Sequence, residues 1–314
     1  LENQLAQPGD VYVVVNGILV AFKAISSTIT IPSQVRFIPD YVFKNNTTIT
    51  TLEFDNSHVI LADYAFYGCT NLDTITNVGF ISYLGTNTFA NTKYYEDIQD
   101  GLITINNMLV GYKGELENLV IPASVSRVLA GAFKGSSVVN LSFENRTNPI
   151  VIEKEAFLSS RQLSNVTLIT EIDEIGKKAF ANTPWINSLS TLYVAVNNKL
   201  LMYIGTSNTI SIPSTITSMA KGIFTNNKSM VSINFSNTSQ NEFVIPENSF
   251  SGCTSLGTVN LPRNPYIGKN AFYGTPWIRT LGNYPKYNNK IFAYQVLDLT
   301  SVTLPSGVTG VYPY

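Results

Sequence analysis

Few residues in this chain have side chains suited to chemistry. Among 314 residues there is one histidine, His58, and two cysteines, Cys69 and Cys253. A histidine base or a His-ligated metal needs partners that a lone His58 lacks, and two cysteines make no disulfide framework. The best acid–base candidate is Glu171 with Asp173. They flank Ile172 and, on a strand, project from one face about 6.6 Å apart at ~3.3 Å per residue. Two carboxyls at that separation can serve glycoside hydrolysis. Exposed carboxylates are far more often simply solvated, so the pair reads first as surface. Phosphate-binding Gly loops, paired-Cys motifs, HExxH and GxSxG are absent from the chain. The expectation is a protein with no catalytic residues, no metal and no cofactor.

Composition narrows the class further. Twenty basic side chains against 21 acidic ones leave a formal charge of −1, and only 13% of residues are charged. A nucleic-acid binder needs a basic stripe and a disordered tail needs high net charge, so both are excluded. Apolar residues at 44% and aromatics at 11% can fill a long core. The longest apolar runs, Val11 to Val15 and Ile18 to Phe22, are interrupted by Asn16-Gly17 and fall far short of the roughly 20 residues of a membrane span. No membrane insertion is expected. The chain opens Leu1-Glu2-Asn3 without a charged-then-apolar leader, so a targeting segment is expected to lie outside it or to have been removed.

The elements that carry these residues repeat. A phenylalanine recurs at 43, 66, 89, 133, 157, 180, 224, 250 and 272, in steps of 23, 23, 44, 24, 23, 44, 26 and 22. A unit of about 23 residues with every third step doubled, and a super-repeat of about 91, is the signature of a stacked solenoid. Five residues before each Phe stands an apolar residue (Ile38, Leu61 and Leu84 in the first three units), and six after stands another (Ile49, Leu72 and Tyr95, with Val139 in the fourth unit). Two after Phe come Asn45, Gly68, Asn91, Gly135, Ser159, Asn182, Asn226, Gly252 and Gly274, types that tolerate a left-handed backbone and end a short helical turn. Three before it stand Asp40, Asp63, Thr86, Ala130, Lys154, Lys177, Lys221, Glu247 and Lys269, a row of mixed sign that argues against a ladder of Ca²⁺-binding carboxylates.

Between these turns, Ile49 to Phe54 and Met230 to Phe235 read as short strands. Pro32, Pro122, Pro213 and Pro305 follow strands at steps near 91, where they end a strand without removing a ladder bond. The doubled steps hold hairpins near 11–23, 101–113, 192–204 and 284–295, turning at Asn16-Gly17, Asn106-Asn107, Asn197-Asn198 and Asn288-Asn289. Aromatics on the return strands, Phe22, Tyr112, Tyr203 and Tyr294, are expected to seal hairpin to solenoid. The buried Cys69 and Cys253, each three residues after a Phe and on the order of 30 Å or more apart, read as inert thiols. His58 reads as an edge residue with a structural role.

Ala65-Phe66-Tyr67-Gly68-Cys69-Thr70-Asn71-Leu72, Ser249-Phe250-Ser251-Gly252-Cys253-Thr254-Ser255-Leu256 and the Ile-Pro-Ser motifs resemble the leucine-rich repeats of the BspA-like, Treponema pallidum-type, bacterial surface proteins. The resemblance runs from about residue 30 to the end. It implies a right-handed solenoid with a sheet along one side, in a secreted or cell-surface protein of adhesive function, and it carries no catalytic residues across.

The expectation is therefore a single leucine-rich-repeat domain over 1–314, non-enzymatic and monomeric. Its implied partner is a host extracellular protein or glycan, or another cell-surface protein. The strand-facing polar positions Thr51, Glu53, Asp55, Asn234 and Ser236 are the binding candidates. A structural spacer displaying another domain is the alternative reading, and a glycan hydrolase using Glu171 and Asp173 a more distant one. The last segment, Leu304-Pro305-Ser306 to Tyr314, aligns with Ile31 to Tyr41 and stops two residues before the next Phe is due, so the solenoid is expected to continue.

Overall fold

The structure, a computed structural model, describes residues 2–5, 11–23, 26–55, 58–280, 286–287, 290–292 and 306–312. It is a β-solenoid with turns about 23 residues apart. Two compact units divide the chain. Unit 1 holds Leu1–Asn145, Ile152–Val166 and Lys178–Ile186; unit 2 holds Arg146–Val151, Thr167–Lys177 and Asn187–Tyr314.

Each coil contributes two strands to two parallel sheets. Thr51–Phe54 is a strand because Thr-Leu-Glu-Phe alternates, with Leu52 and Phe54 buried and Thr51 and Glu53 turned outward. It pairs in parallel with Thr28–Ile31 on one side and Thr74–Thr76 on the other, Leu52 opposite Ile29 and Ile75. The shorter strands Phe37–Ile38, Val59–Leu61 and Ile81–Leu84 form the second sheet, with Ile38 opposite Leu61 and Leu61 opposite Leu84. Unit 2 repeats the plan: Thr209–Ile212, Ser232–Phe235 and Thr258–Asn260 make one sheet. Ser218–Met219, Phe243–Ile245 and Pro265–Ile267 lie in the other. Apolar residues five before Phe are buried in every coil, from Ile38 to Ile267.

Between the sheets run the rings. In unit 1 Phe43, Phe66 and Phe89 stack at 4.5 and 5.4 Å, and Phe133, Phe157 and Phe180 at 5.1 and 5.1 Å. In unit 2 Phe224, Phe250 and Phe272 stack at 5.3 and 5.0 Å. Each stack opens on a hairpin aromatic: Phe22 on Phe43, Tyr112 on Phe133 and Tyr203 on Phe224. Each closes on a ring turned toward its face, Tyr94, Trp185 or Trp277. Those closing rings lie in one-turn helices, Lys93–Glu96, Pro184–Ser188 and Pro276–Thr280. Thr92, Thr183 and Thr275 cap them by accepting from the backbone N–H three residues on.

The Phe turn is not a helix. It is two overlapping i to i+3 turns, Lys44 N–H to Tyr41 O and Asn46 N–H to Phe43 O, which hydrogen-bond to the next coil through Phe43 N–H and Asn45 N–H. The residue two after Phe has positive φ in all nine coils, as its residue types predict. So does the residue two before, including Tyr41 (φ 64°), Tyr64 (φ 58°) and Glu155 (φ 57°), a row the sequence does not advertise. Gly68 and Gly252 are needed for a further reason, since a Cβ on either would lie 2.2 Å from the amide oxygen of Asn45 or Asn226 in the preceding coil.

Two register details differ from expectation. The Phe133 unit is one residue short, so the fully buried residue after its turn is Val138, and Val139 is only half-buried. Tyr95 and Ile186 are likewise half-buried, because the one-turn helices there put Tyr94 and Trp185 against the Phe.

Three hairpins turn on left-handed pairs, Asn16-Gly17, Asn106-Asn107 and Asn197-Asn198. All three carry a register shift at the matching place, Val13/Val14, Ile103/Thr104 and Val194/Ala195. The return strands then pair in parallel with the next coil's short strand, Ile18 with Phe37, Leu109 with Val128 and Leu200 with Met219. Of the fourth hairpin, strands Lys286–Tyr287 and Lys290–Phe292 are described. Its turn and Tyr294 lie outside the described residues, as does Pro305.

Candidate functional site

The solenoid presents two kinds of outward sheet face. On the long-strand sheets the outward residues are mostly polar, with Val120 an exposed exception. Thr28, Thr51 and Thr74 are in register, as are Thr30, Glu53 and Thr76, and the Thr30 hydroxyl donates to Glu53 Oε2 at 3.2 Å. Farther along unit 1, Asn140 Nδ2 donates to Asn118 Oδ1 and Asn165 Nδ2 to Asn140 Oδ1, each at 2.7 Å. These amides satisfy one another along the ladder.

The five predicted binding positions fall on such faces but in two groups. Thr51 and Glu53 point outward in unit 1, with exposed Asp55 just past the strand. Asn234 and exposed Ser236 hold the matching places on Ser232–Phe235 in unit 2. The structure thus puts them in two separate sheets.

The short-strand sheet of unit 1 has a different character. Ile18, Phe37, Ile60 and Tyr83 occupy one outward row across four adjacent strands. Ile18 and Ile60 are each 39% exposed and Val20 is 50% exposed. Val15 pairs with Ile18 on the adjoining hairpin strand, where Val13 and Val15 are half-buried. A face of this length with only apolar and aromatic residues along its row is the kind of patch that marks an interaction surface. The signal in the sequence is the position six before Phe, filled by Phe37, Ile60, Tyr83, Arg127, Val151, Glu174, Ser218, Val244 and Tyr266. It varies too much to register as core, yet it is rich in aromatic and branched side chains.

Arg127 borders that row. Its Nη1 lies 2.9 Å from Glu153 Oε1, and its guanidinium sits 5.7 Å from the centre of the Tyr83 ring. Glu153, only 9% exposed, also accepts from Ala130 N–H at 3.0 Å and from the Tyr83 hydroxyl at 3.4 Å. Burial, with the Glu153 charge second, pushes the Tyr83 phenol up to about 12. Tyr83 is therefore a neutral hydrogen-bond donor at any physiological pH.

Asp173, Cys69 and Cys253 are tied into the structure. Asp173 Oδ2 lies 3.2 Å from Lys221 Nζ, which also contacts Glu247 Oε1 at 3.3 Å. One of the two glycosidase candidates is therefore engaged in an ion pair. Cys69 and Cys253 are fully buried and donate to the carbonyls of Phe43 and Phe224, the preceding coil's ring residues. Burial pushes both thiols up to about 11, which keeps them protonated and unreactive. Ser160 makes the same bond to Phe133 O at 2.6 Å, so cysteine here acts as a small donor. His58 is exposed. Among the described residues no cluster of three or more His, Cys, Asp or Glu is arranged to hold a metal, and no helix is long and apolar enough to cross a membrane.

Coils of about 23 residues, each carrying two short parallel strands and a buried Phe turn, define a leucine-rich-repeat solenoid. The profile described as BspA type leucine rich repeat region, in six copies, matches residues 20–137, 97–196 and 193–295. The chain belongs to the BspA-type leucine-rich repeat family. Among solved structures it is similar to a leucine-rich cell surface protein from Faecalibacterium prausnitzii, at 18% identity and a TM-score of 0.35, covering 87% of this chain and 86% of that one. It is also similar to the pneumococcal vaccine antigen PcpA, at 16% identity and a TM-score of 0.27, covering 87% and 79%. A leucine-rich repeat protein of T. pallidum matches at 14% identity and a TM-score of 0.21, covering 84% and 87%. No curated protein matches the chain.

Proposed function

We propose that this chain is a protein-binding repeat module of a bacterial cell surface, acting in adhesion to a host extracellular protein or to another cell's surface protein. The observation that carries the reading is the outward apolar face of unit 1, centred on Ile18, Phe37, Ile60 and Tyr83. Interface cores are depleted in charge and enriched in aromatics, and a buried aromatic anchor supplies most of the energy. Phe37 and Tyr83 fit that role, held on rigid strands at low entropic cost. The polar strand face with Thr51, Glu53 and Asp55 is the second contact set, and the Asn234 and Ser236 face is its counterpart in unit 2. Nothing in the reading calls for a catalytic group.

Binding of the purified chain to immobilised matrix proteins, mucin and intact cells tests it. Saturable binding is expected, with Ile60→Asp weakening it at least about tenfold while the melting temperature holds, because Ile60 is exposed. Glu53→Lys with Asp55→Lys is expected to alter the on-rate and its salt dependence more than the affinity. Silence across the panel, or binding indifferent to Ile60→Asp, rejects the proposal and leaves the spacer reading.

A further inference from the structure

The hairpins repeat one feature that the apolar face does not use, the outer edge of their first strand. In the first hairpin that edge is occupied: Glu2–Leu5 runs antiparallel along Val11–Val15, with Glu2 opposite Val14 and Gln4 opposite Tyr12. In the second, Gly101–Ile105 pairs with Met108–Lys113 and is the end strand of its sheet. In the third, Tyr193–Val196 is likewise an end strand. The three turns stand 90 and 91 residues apart, so one place in the repeat is seen with an added strand and twice without.

The backbone of Gly101–Ile105 is prepared for such a partner. Ile105 and Met108 flank a two-residue turn and exchange their backbone bonds, so Ile103 and Ile105 face the return strand while the N–H and C=O of Leu102 and Thr104 face away. Among the described residues nothing bonds to those outward groups. Their counterparts in the first hairpin are Tyr12 and Val14, the residues opposite Gln4 and Glu2. The extra residue of the bulge, Val110, lies on the return strand, which leaves the outer strand regular. Gly101–Ile105 carries no charge and no proline, the devices by which proteins usually keep an edge from pairing. Ile103, Ile105 and Met108 are at most 3% exposed, so the hairpin is anchored and its edge is held in place before anything binds.

The third hairpin shows the same edge closed from within. Thr191 donates its hydroxyl to Tyr193 O at 2.7 Å, and Tyr193 is the counterpart of Leu102. Asp100 stands in the place of Thr191, and a carboxylate has no proton to give, so Leu102 O stays open. Asp100 also sets the charge at that end of the strand. With the exposed Glu96 and Asp97, and with Lys113, it surrounds a hollow beside Gly101. Asp97 pairs with Lys93 at 3.3 Å and Lys113 donates to the backbone carbonyl of Glu96. Among the described residues the carboxylates of Glu96 and Asp100 therefore have no ion pair.

We infer that Gly101–Ile105 takes up an extended segment of a partner protein by antiparallel strand addition, the segment's backbone bonding to Leu102 and Thr104 and a lysine or arginine at its C-terminal end meeting Asp100 and Glu96. The direction follows from the first hairpin, where the added strand is antiparallel, and it brings the C-terminal end of the segment to the acidic hollow. In this mode main-chain bonds supply the affinity and alternate side chains the selectivity, so the segment needs β-forming residues and no proline. The site lies apart from the row at Ile18, Phe37, Ile60 and Tyr83 and goes beyond the reading given for that row.

The test is titration of the whole chain into labelled short peptides of alternating valine and threonine that end in Lys-Arg or in Glu-Asp, read by fluorescence anisotropy. Saturable binding of the basic-ended peptide is expected, at least about tenfold tighter than that of the acidic-ended one. Methylating the backbone nitrogens of one alternate set of peptide residues should abolish binding, and methylating the other set should leave it intact, because only one edge of the segment bonds to the chain. Asp100→Thr, which installs the residue of the third hairpin, should weaken binding about tenfold, and Thr104→Pro should do the same by removing an outward N–H. Both positions are exposed, so the melting temperature should hold. Ile60→Asp should leave peptide binding unchanged, which separates a failure here from a failure at the apolar face. Equal binding of the two peptide ends, two methylated sets that behave alike, variants that bind as well as the parent, or no binding at millimolar concentrations overturns the inference.

Discussion

Asn106 in unit 1 and Lys199 in unit 2 do one job with different chemistry. At each doubled step a hairpin follows a coil, and two carbonyls on that coil, ten and eight residues before its Phe, need a donor that a neighbouring strand does not supply. In unit 1 these are Gly79 O and Ile81 O, and the Asn106 amide donates to them at 3.2 and 2.6 Å. In unit 2 they are Thr170 O and Ile172 O, and Lys199 Nζ donates to both, at 3.0 and 2.7 Å. Met108 fills the position of Lys199 in unit 1, and Asn197, the counterpart of Asn106, donates instead to Thr170 Oγ1 at 2.8 Å. The backbone sets the requirement and leaves the side chain open. The cross-coil clusters differ in the same way: unit 1 has the nearly buried Glu153 paired with the half-buried Arg127 and bonded to Tyr83, whereas in unit 2 Lys221 sits between Asp173 and Glu247 with no member of the cluster buried.

The largest test of this comparison removes the feature that both units share. Phe157→Ala, inside an unbroken stack, should cost about 3–5 kcal/mol in chemical denaturation. A loss under about 1 kcal/mol would mean the rings are not the core on which the variable steps are hung. Next come the two charge clusters. Glu153→Ala strands Arg127, the Ala130 N–H and the Tyr83 hydroxyl, and is expected to cost about 2–3 kcal/mol. Lys221→Met should cost under about 1 kcal/mol and vanish in high salt.

The pH dependence of Lys221 follows from its raised value, due first to the hydrogen bond it donates to Asp173 and opposed by desolvation. Its contribution is fully present below the unfolded lysine value of about 10.4 and is lost as the pH rises above that. Equal costs for the two substitutions would erase the distinction between clusters. The last test concerns the capping side chains, whose effects fall between those of the two clusters. Lys199→Met, which installs the unit 1 residue, should cost about 1–2 kcal/mol, and Asn106→Ala about 1 kcal/mol, both read as shifts in denaturation midpoint. If Lys199→Met is neutral, water serves those carbonyls equally well and the equivalence fails.

Much of this was legible because side-chain type and backbone position are coupled every 23 residues. The residue five before Phe is apolar in each unit and buried in each coil, and the Asn, Gly or Ser two after it has positive φ in each. The hairpin turns were readable for the same reason, since Asn-Gly and Asn-Asn between strand residues leave few conformations open. The matching left-handed row two before Phe was hidden. Tyr41, Tyr64, Glu155 and Lys178 are not residues that choose that backbone; each accepts the i to i+3 bond of its Phe turn, and turns are tied to the next coil through N–H groups such as those of Phe43, Phe66 and Phe157. The candidate sites were legible only in part. Thr51, Glu53 and Asp55 were found as outward positions by alternation, whereas the apolar row at Ile18, Phe37, Ile60 and Tyr83 was passed over because apolar residues read as core.

Periodicity alone was therefore enough for the coil, its buried rows, the Phe stack and the hairpins, since each is a local pattern repeated with one spacing. Which outward row is apolar, which carbonyls need a donor, and which exposed rings stack across coils were settled only by stacking coil on coil. Those properties belong to residues some 20 to 70 apart in the chain, such as Tyr83 and Glu153 or Asn106 and Ile81. No repeat unit contains them by itself, because a contact between coils depends on the register of one coil against the next and on where a hairpin interrupts it.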